Sequence, residues 1–366
     1  MIPIYKPYLT SASLKYAHAA IDSTWISSTG KYIDMATERL RDILGVKYVQ
    51  LVNNGTSATH LVAKSLILKN PELQRVIVPN NVYVAAWNAF LYENVCLSPV
   101  DADLDTWNVD ASLLPDSLPF GTGILLVHNV GNIIDVNPLI DKYGLNAIVE
   151  DNCEGFMGKY GEAYSGTKSL ASSVSFFGNK TITSGEGGAF VTNDEEIFEF
   201  IKTTRGQGQT LTNRYIHDRI GYNYRMTNIQ AAILLGQLDM LPEILEKKQE
   251  IFCYYRDRFS RMEKIRVQKQ DPATVHSNWM MAIRILGNGS YSQVRDYLKV
   301  RGVESRPMFY PMSSHSYLKD TADSDNEVNA AILSRECMML PSYPSLEKKD
   351  IKYIADTIEE YVHNEI

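Results

Sequence analysis

The sequence predicts an α/β fold in which helices cover both faces of a mixed, mostly parallel sheet. Short apolar segments such as RVIVP (75–79) and GILLVH (123–128) alternate with helical patterns from about residue 46 to 194. Continuously apolar strands separated by helices are typical of a parallel sheet that is buried on both faces. Residues 172–177 and 189–192 have strand patterns with no helix between them, so one part of the sheet should depart from the alternation.

The elements follow in a regular order along the first part of the chain. Strands are expected at 47–52, 75–79, 95–100, 123–128 and 147–150, and helices at 57–68, 82–92 and 138–143. Ligands of such sheets bind beyond the carboxyl ends of the strands, so the loops at those ends are the candidate site.

The second part of the chain has a different pattern. A helix is predicted to begin near Asp194, with that residue or Asn193 as its cap, and residues 205–224 should form a long irregular segment. A helix at 226–240 and a long helix from Pro242 follow, and then a strand at 280–286 and helices at 291–300 and 349–362. We predict a large N-terminal domain (1–240) and a smaller C-terminal α+β domain (241–366) that begins with the long helix.

Composition excludes several classes of protein. The 366 residues are 45% hydrophobic, which suffices for a sizeable core, and the net charge of −7 disfavours a nucleic-acid-binding protein. The four cysteines have neither zinc-ligand nor disulfide-framework spacing, so no metal site is expected. Without a signal-peptide pattern or an apolar run of about 18 residues, the chain is expected to be cytoplasmic and not membrane-bound.

The first candidate binding element is the turn NNGTSA (53–58), which follows the first strand and opens the first helix of the sheet region. The free N–H groups of a helix start can bind an anion, and the hydroxyl groups of Thr56 and Ser57 could add donors. The alternative is that Thr56 or Ser57 merely caps the helix, and on this stretch alone that interpretation is favoured.

The second candidate is Lys180, in the stretch SFFGNKTITSGEGG (175–188). Most loop lysines are simply solvated, but two phenylalanines and a glycine precede this one and three glycines follow it. An amine that is partly withdrawn from water can act as a nucleophile towards a carbonyl carbon. This is what pyridoxal 5′-phosphate (PLP) requires of a protein.

Other residues match the remaining requirements of PLP. The cofactor needs a carboxylate for its ring nitrogen, an aromatic ring for stacking and a cradle for its phosphate. Asp151, Tyr83 and the turn from Gly55 to Ser57 could supply these three groups. Individually, each has a simpler explanation as a cap, a salt-bridge partner or a packing residue, but one hypothesis accounts for all of them.

Six motifs resemble, in this order, those of the DegT/DnrJ/EryC1/StrS family of sugar aminotransferases, which are fold-type I PLP enzymes. They are NNGTSATHL, VPNNVYVAAWNA, VDADLDTWNVD, VEDNCEG, SFFGNKTITSGEGGAFVTND and GYNYRMTNIQAAI. The resemblance extends from about residue 25 to 240, and the lysine loop is especially similar to that of members that resemble perosamine synthetases.

The resemblance implies a role for each matching residue. Lys180 would bind the cofactor covalently and shuttle a proton, Asp151 would hold the ring nitrogen, and Tyr83 would stack on the ring. The phosphate would be bound by Gly55, Thr56, Ser57, Ser175 and, from the second subunit of a homodimer, Asn223. Glu154 departs from the glutamine of many members and would lie near the phenolic oxygen of the cofactor.

The resemblance also implies a reaction. Glutamate would give its amino group to PLP, leaving 2-oxoglutarate and pyridoxamine 5′-phosphate, and a nucleotide-linked 4-keto-6-deoxy sugar would then be aminated at C4. Plausible sugar-nucleotide contacts are Ser28, Arg306, Tyr310 and His315. Family members that dehydrate the sugar have histidine in place of Lys180, so transamination is favoured. Two alternative functions stay open: amination of a nucleotide-linked 3-keto sugar, and a regulatory protein of the same family that binds PLP without catalysis.

Overall fold

The computed structural model describes residues 1–210, 212–287, 290–319, 321 and 326–365. Its helices are α1 (Ser11–Asp22), α2 (Lys31–Leu44), α3 (Gly55–Lys69), α4 (Ala85–Leu91), α5 (Asn137–Tyr143), α6 (Glu195–Thr204), α7 (Asn228–Asp239), α8 (Leu241–Phe259), α9 (Tyr291–Val300), α10 (Val328–Glu336) and α11 (Lys348–Glu365). Its strands are β1 (Tyr48–Val52), β2 (Arg75–Pro79), β3 (Cys96–Val100), β4 (Thr122–Val127), β5 (Ile148–Asp151), β6 (Lys159–Tyr160), β7 (Ala163–Tyr164), β8 (Ser172–Ser175), β9 (Gly188–Thr192), β10 (Ile265–Val267), β11 (Thr274–Val275), β12 (Met281–Ile285), β13 (Arg306–Pro307) and β14 (Cys337–Leu340).

The main sheet has seven strands in the order β1-β9-β8-β5-β4-β2-β3. All neighbouring pairs from β8 to β3 are parallel, whereas β9 is antiparallel to both of its neighbours. The predicted α/β fold with a mixed, mostly parallel sheet is therefore confirmed. All six residues of β4 are buried, as a strand with a covered layer on each face requires.

The predicted connection between β8 and β9 is also confirmed. The two strands pair directly, with Ser175 opposite Gly188, and the intervening loop has no helix. Because β9 also pairs with β1, with Val52 opposite Gly188, the loop that contains Lys180 ends beside the turn that follows β1.

A second, antiparallel sheet has the order β10-β12-β14-β13. It packs with α8, α9 and α11 around a core that includes Phe252, Tyr255 and Ile283. Three short strands form a third sheet in the order β11-β6-β7.

The first residues of the chain lie against this second sheet. The N–H of Ile2 donates to the carbonyl oxygen of Gly302 (2.7 Å), and the N–H of Glu304 donates to that of Ile2 (3.0 Å). Ile4 is buried in a cluster that includes Trp279 and Met308. The chain then crosses to α1, in which the Ser13 hydroxyl donates to a carbonyl oxygen of α7.

One local expectation is wrong. Neither Thr56 nor Ser57 caps α3, because the side chain of Asn54 accepts a hydrogen bond from the Ser57 N–H at 2.8 Å. Asn54 has an extended backbone, which is the usual conformation of an N-cap residue. Asp194 caps α6 as predicted, accepting from the N–H of Ile197.

The segment 205–224 forms neither a helix nor a strand in its described part, and Leu211 lies outside the described residues. Isolated bridges join Gly206 to Asn223 and Gln209 to His217. Across the part of the chain that the structure describes, none of the helices combines the length and apolarity needed to cross a bilayer.

Candidate active site

A cavity of about 930 Å³ lies at the carboxyl ends of the parallel strands and extends to the second sheet. Its size is at the upper end of the range for small-molecule sites, so a cofactor and part of a substrate could share it. Its lining includes these predicted site residues: Gly55, Thr56, Tyr83, Asp151, Glu154, Ser175, Lys180, Arg306, Tyr310 and His315.

Lys180 extends into the cavity from the loop between β8 and β9. Its backbone N–H closes a tight turn by donating to the carbonyl oxygen of Phe177 at 2.9 Å. Its side chain is only 14% exposed, and Nζ lies 3.7 Å from Oε1 of Glu154. On another side, Nζ lies 4.1 Å from the centre of the Trp279 ring.

Asp151 is the last residue of β5, and its carboxylate is largely buried. Oδ1 accepts from the N–H of Cys153 (3.0 Å) and from the hydroxyl of Ser173 (3.3 Å), and the hydroxyl of Thr59 lies 3.5 Å from Oδ2. The preceding residue of the strand, Glu150, bonds a histidine outside the cavity lining, as expected from the alternation of side chains along a strand. Asp151 therefore presents an oriented carboxylate to the cavity.

The start of α3 forms another wall. Gly55 and Thr56 are its first residues, and helix geometry leaves their N–H groups without an intrahelical acceptor. A Cβ atom on Gly55 would lie 2.7 Å from Cβ of Ser175, so only glycine fits without displacement of the neighbouring strand. Ser57 is buried and does not line the cavity.

Glu154 follows Asp151 in the loop after β5. Its Oε2 accepts from the N–H of Val130 at 2.8 Å, and its Oε1 faces Lys180. Burial raises the pKa of Glu154 to about 7, although the Lys180 amine and the Val130 N–H both act to lower it. The carboxyl group can therefore gain or lose a proton near neutral pH.

The outer part of the cavity is formed by aromatic and apolar side chains together with one cation. Tyr83 is 60% exposed, and its ring centre lies 6.1 Å from that of Phe309. The guanidinium of Arg306 lies over the ring of Tyr5 at 5.0 Å. Met280 and Met308 add apolar surface from the side of the second sheet.

Besides Ser57, two predicted residues lie outside this cavity. Ser28 accepts a hydrogen bond from Nε of Arg225 at 3.2 Å. Asn223 is exposed at the surface of the chain. Neither is a lining residue, so the single chain does not bring them together with Lys180.

Asn223 lies between two tyrosines whose side chains pack against the protein, whereas Asn223 itself is exposed. The rings of Tyr222 and Tyr224 stack with their centres 4.8 Å apart, and each hydroxyl contacts one member of the pair formed by His60 and Glu93. Tyr222 donates to Glu93 at 3.1 Å, and the Tyr224 hydroxyl lies 3.0 Å from Nδ1 of His60. Nε2 of His60 lies 2.7 Å from Glu93, so the tyrosines are anchored to α3 and the end of α4.

Sequence reasoning missed several residues of the site. Thr59 lies one helical turn after Gly55, so its position on the same face of α3 was available from spacing alone. Ser173 lies two residues before Ser175 and therefore shares its side of β8. Trp279 and Met280 come from a distant part of the chain, and no local pattern distinguishes them from core residues.

The arrangement fits PLP. An amine, a buried carboxylate and a helix start open into one cavity, and they match the aldehyde, the ring nitrogen and the phosphate of the cofactor. The close approach of Gly55 to Ser175 leaves space beside the helix start that a larger side chain would fill. Within the described ranges, no three potential His, Cys, Asp or Glu ligands cluster around a metal position.

The chain matches the model of the DegT/DnrJ/EryC1/StrS aminotransferase family over residues 7–359. It is 36% identical to the GDP-perosamine synthase of Escherichia coli O157:H7, with 98% of each chain covered. It is 33% identical to the GDP-perosamine synthase of Vibrio cholerae, with 99% of each covered. The structure of E. coli GDP-4-keto-6-deoxy-D-mannose-3-dehydratase with bound hydrated PLP has the same fold, with a TM-score of 0.90, 23% identity and coverage of 98% of this chain and 99% of that one.

The family match covers almost the whole chain, and the two synthases match it from end to end above 30% identity. Both findings confirm the resemblance that the six motifs indicated. The chain belongs to the DegT/DnrJ/EryC1/StrS aminotransferase family.

Proposed function

We propose that this protein is a PLP-dependent aminotransferase that converts a nucleotide-linked 4-keto-6-deoxy sugar into its 4-amino sugar, with glutamate as the amino donor. The observation that carries the proposal is the position of Lys180, whose amine lies in one cavity with Asp151 and the start of α3. Family membership and the similarity to two GDP-perosamine synthases support the choice of sugar.

Bound PLP supplies an aldehyde and a ring that accepts electrons when a bond at the donor's α-carbon is broken. The Lys180 amine would hold the aldehyde group of the cofactor and would be placed to carry a proton from the α-carbon of the donor. The tight turn closed by the Phe177 carbonyl oxygen fixes the backbone from which the amine extends, which supports this double role. Such positioned proton transfer contributes about 10²–10⁴-fold to a rate.

Asp151 acts by charge. Its carboxylate holds the ring nitrogen of the cofactor in the protonated form and so stabilises the negative charge that develops on the substrate. The N–H of Cys153 and the Ser173 hydroxyl fix the direction of the carboxylate before the reaction begins. Thr59 supports the same group from α3.

The phosphate of PLP would bind at the start of α3, where Gly55 and Thr56 present N–H groups and Ser175 adds a hydroxyl. Ser57 would contribute less than predicted, because its N–H donates to the side chain of Asn54. We place Asn223 of a second copy of the chain beside this phosphate, which makes the enzyme a homodimer. The exposure of Asn223, although both flanking tyrosines are anchored, supports this assignment. Tyr83 stacks on the ring at the open side of the cavity.

The sugar nucleotide occupies the outer part of the cavity. Arg306 provides a cation for its phosphates, and Tyr310 and His315 provide surfaces for its sugar and base. Ser28, the fourth predicted contact, lies outside the cavity of the single chain. The lysine at position 180 favours transamination over dehydration. The 3-dehydratase fold neighbour therefore indicates the fold of this chain and not its reaction.

Covalent labelling tests the central assignment. The protein saturated with PLP is treated with borohydride, digested and mapped by mass spectrometry, and the label is expected on Lys180. Lys159, which lies on β6 outside the cavity lining, is the internal control. A label at another lysine, or a Lys180→Ala variant that turns over at the wild-type rate, would refute the proposal.

A substrate panel tests the finer assignment. The enzyme is assayed with glutamate and a set of GDP-, UDP- and dTDP-linked 4-keto and 3-keto sugars, and the aminated carbon is identified by NMR. We expect 2-oxoglutarate to form beyond one equivalent per active site only with the 4-keto-6-deoxy compounds. Amination at C3 would replace the proposed substrate without affecting the role of Lys180.

A further inference from the structure

The indole of Trp279 is a close neighbour of the Lys180 amine that the proposed chemistry leaves without a role. Its ring centre lies 4.1 Å from Nζ, and the residue is only 4% exposed. Its Nε1–H donates to the carbonyl oxygen of Asn179, the residue before the lysine, at 2.9 Å. One side chain thus contacts both the amine and the backbone from which the amine extends.

The backbone of Trp279 is itself held by an unusual group. Lys248, on α8, is 3% exposed, and its Nζ donates to the carbonyl oxygens of Trp279 (2.6 Å) and Ser342 (2.8 Å). Burial lowers the pKa of Lys248 to about 7, and no carboxylate among the described residues counteracts this effect. A buried amine without an anionic partner is costly, so its retention requires an explanation.

The contacts of Lys248 provide that explanation. The Ser342 hydroxyl accepts from the N–H of Met281 at 2.9 Å, so the start of β12 and the segment after β14 are joined beside this amine. Lys248 connects both to α8 and fixes the point at which Trp279 leaves the second sheet. The indole then extends from this fixed point to the loop between β8 and β9.

We propose that Trp279 is a positioning residue for Lys180 and that Lys248 sets the position of Trp279 through its carbonyl group. The proposal rests on the proposed function of Lys180. A lysine has a flexible four-carbon stem and therefore many rotamers. The indole covers one side of the amine while Glu154 lies at 3.7 Å on another, so the amine is directed to the cavity between them.

The consequences for the lysine are of two kinds. Without the indole, the amine is less shielded and more mobile, so a small reagent reaches it faster. The same mobility makes the productive orientation rarer, so turnover falls. A purely structural role for Trp279 would lower thermal stability without changing these two rates in opposite directions.

The first measurement uses the apoprotein, so it is independent of cofactor binding. Lys180 is methylated with formaldehyde and cyanoborohydride under limiting conditions, and its rate is followed by peptide mapping relative to Lys159. Trp279→Leu is expected to raise this relative rate about threefold or more. This factor corresponds to the loss of one contact between an amine and an aromatic ring. Lys248→Met is expected to shift it in the same direction by a smaller factor.

The second measurement uses the holoenzyme. For Trp279→Leu, kcat is expected to fall about tenfold or more, while KM for the sugar nucleotide changes much less. Trp279→Phe keeps a ring beside the amine but loses the bond to Asn179, so its kcat should lie between those of the wild type and the leucine variant. If Trp279→Leu does not fold, the phenylalanine variant and Lys248→Met provide both comparisons.

Unchanged Lys180 methylation together with unchanged kcat in these variants would overturn the proposal and make Trp279 a packing residue. Failure of the proposed function has a different signature, since the wild-type holoenzyme would then give no borohydride label at Lys180. The apoprotein measurement stays informative in that case.

Discussion

Nζ of Lys180 and Oε1 of Glu154 lie 3.7 Å apart inside the active-site cavity. Because burial raises the pKa of Glu154 to about 7, this carboxyl group is neutral in the folded protein at mildly acidic pH, while in the unfolded chain it ionises near 4.5. The folded protein therefore binds more protons than the unfolded chain between these values, and its stability decreases as pH rises through this window.

Glu154→Gln should remove this dependence. We expect the free energy of unfolding of the variant, relative to the wild type, to increase from about pH 5 to pH 8, by at most about 3 kcal/mol. Urea unfolding of both apoproteins at several pH values measures the difference, and the titration of other groups largely cancels. A difference that does not change with pH would contradict the shifted pKa.

Asp151→Asn should lower kcat by about 10²–10³-fold, because an amide cannot provide the negative charge that stabilises a protonated ring nitrogen. Thr59→Val removes only one supporting hydroxyl, so its loss should be about tenfold or less. Ser172→Ala is the matched control, since that hydroxyl bonds the carbonyl oxygen of Gly166 and not Asp151. The measurement is the rate of the half-reaction with glutamate, and equal losses for all three variants would argue against a specific role of Asp151.

Gly55→Ala should weaken PLP binding and destabilise the fold by about 1–3 kcal/mol, because its Cβ would lie 2.7 Å from Cβ of Ser175. Gly206→Ala is the control for the unfolding measurement, since the nearest atom to its added Cβ lies at 3.5 Å and its φ angle is not in the left-handed region. PLP titration and urea unfolding measure the two effects. Wild-type affinity for PLP in the Gly55 variant would show that the helix start does not approach the cofactor closely.

Glu93→Gln tests the anchor of the segment that contains Asn223. The substitution removes the charge that His60, Lys64 and Tyr222 share, and we expect a destabilisation of about 1–3 kcal/mol together with weaker PLP binding. Although burial alone would raise the pKa of Glu93, hydrogen bonds from Lys64 and His60 lower it. Its contribution is therefore present at neutral pH and is lost as pH falls through the lowered pKa.

Lys69→Ala provides the control for this network. It breaks ion pairs with Asp194 and Glu196 at the other end of α3 and should leave PLP binding unchanged. If Glu93→Gln loses stability but keeps wild-type affinity for PLP, the network does not position Asn223. Both quantities are measured by urea unfolding and by PLP titration of the same preparations.

The sequence was sufficient to predict the sheet and the residues that belong to its strand ends, because apolar strands and the turns after them are local patterns. Lys180 and Asp151 were both identifiable in this way. The cap of α3 was misassigned, since polar residues flank Gly55 on both sides and only the structure shows that Asn54 has the extended backbone and the hydrogen bond of a cap.

The rest of the site depends on long-range packing. Trp279 contacts Lys180 from a distant part of the chain, where Lys248 bonds the carbonyl oxygens of Trp279 and Ser342, and nothing near Trp279 in the sequence indicates this. Asn223 is a different case: its predicted role concerns a second copy of the chain, and the single subunit contains only the surface on which the residue lies.

The ladder between Ile2 and residues 302–304 has a consequence for dynamics. It joins the second sheet to α1, which is bonded to α7, while α8 makes a separate covalent connection to the same sheet. The N-terminal segment and α8 thus both connect the main-sheet region to the second sheet. Two such connections oppose a large hinge rotation of the second sheet relative to the main sheet. Entry of the substrate should therefore depend on rearrangement of exposed side chains at the rim, such as Tyr83 and Tyr310, and truncation of the first five residues should make the protein more susceptible to proteolysis between the two sheets.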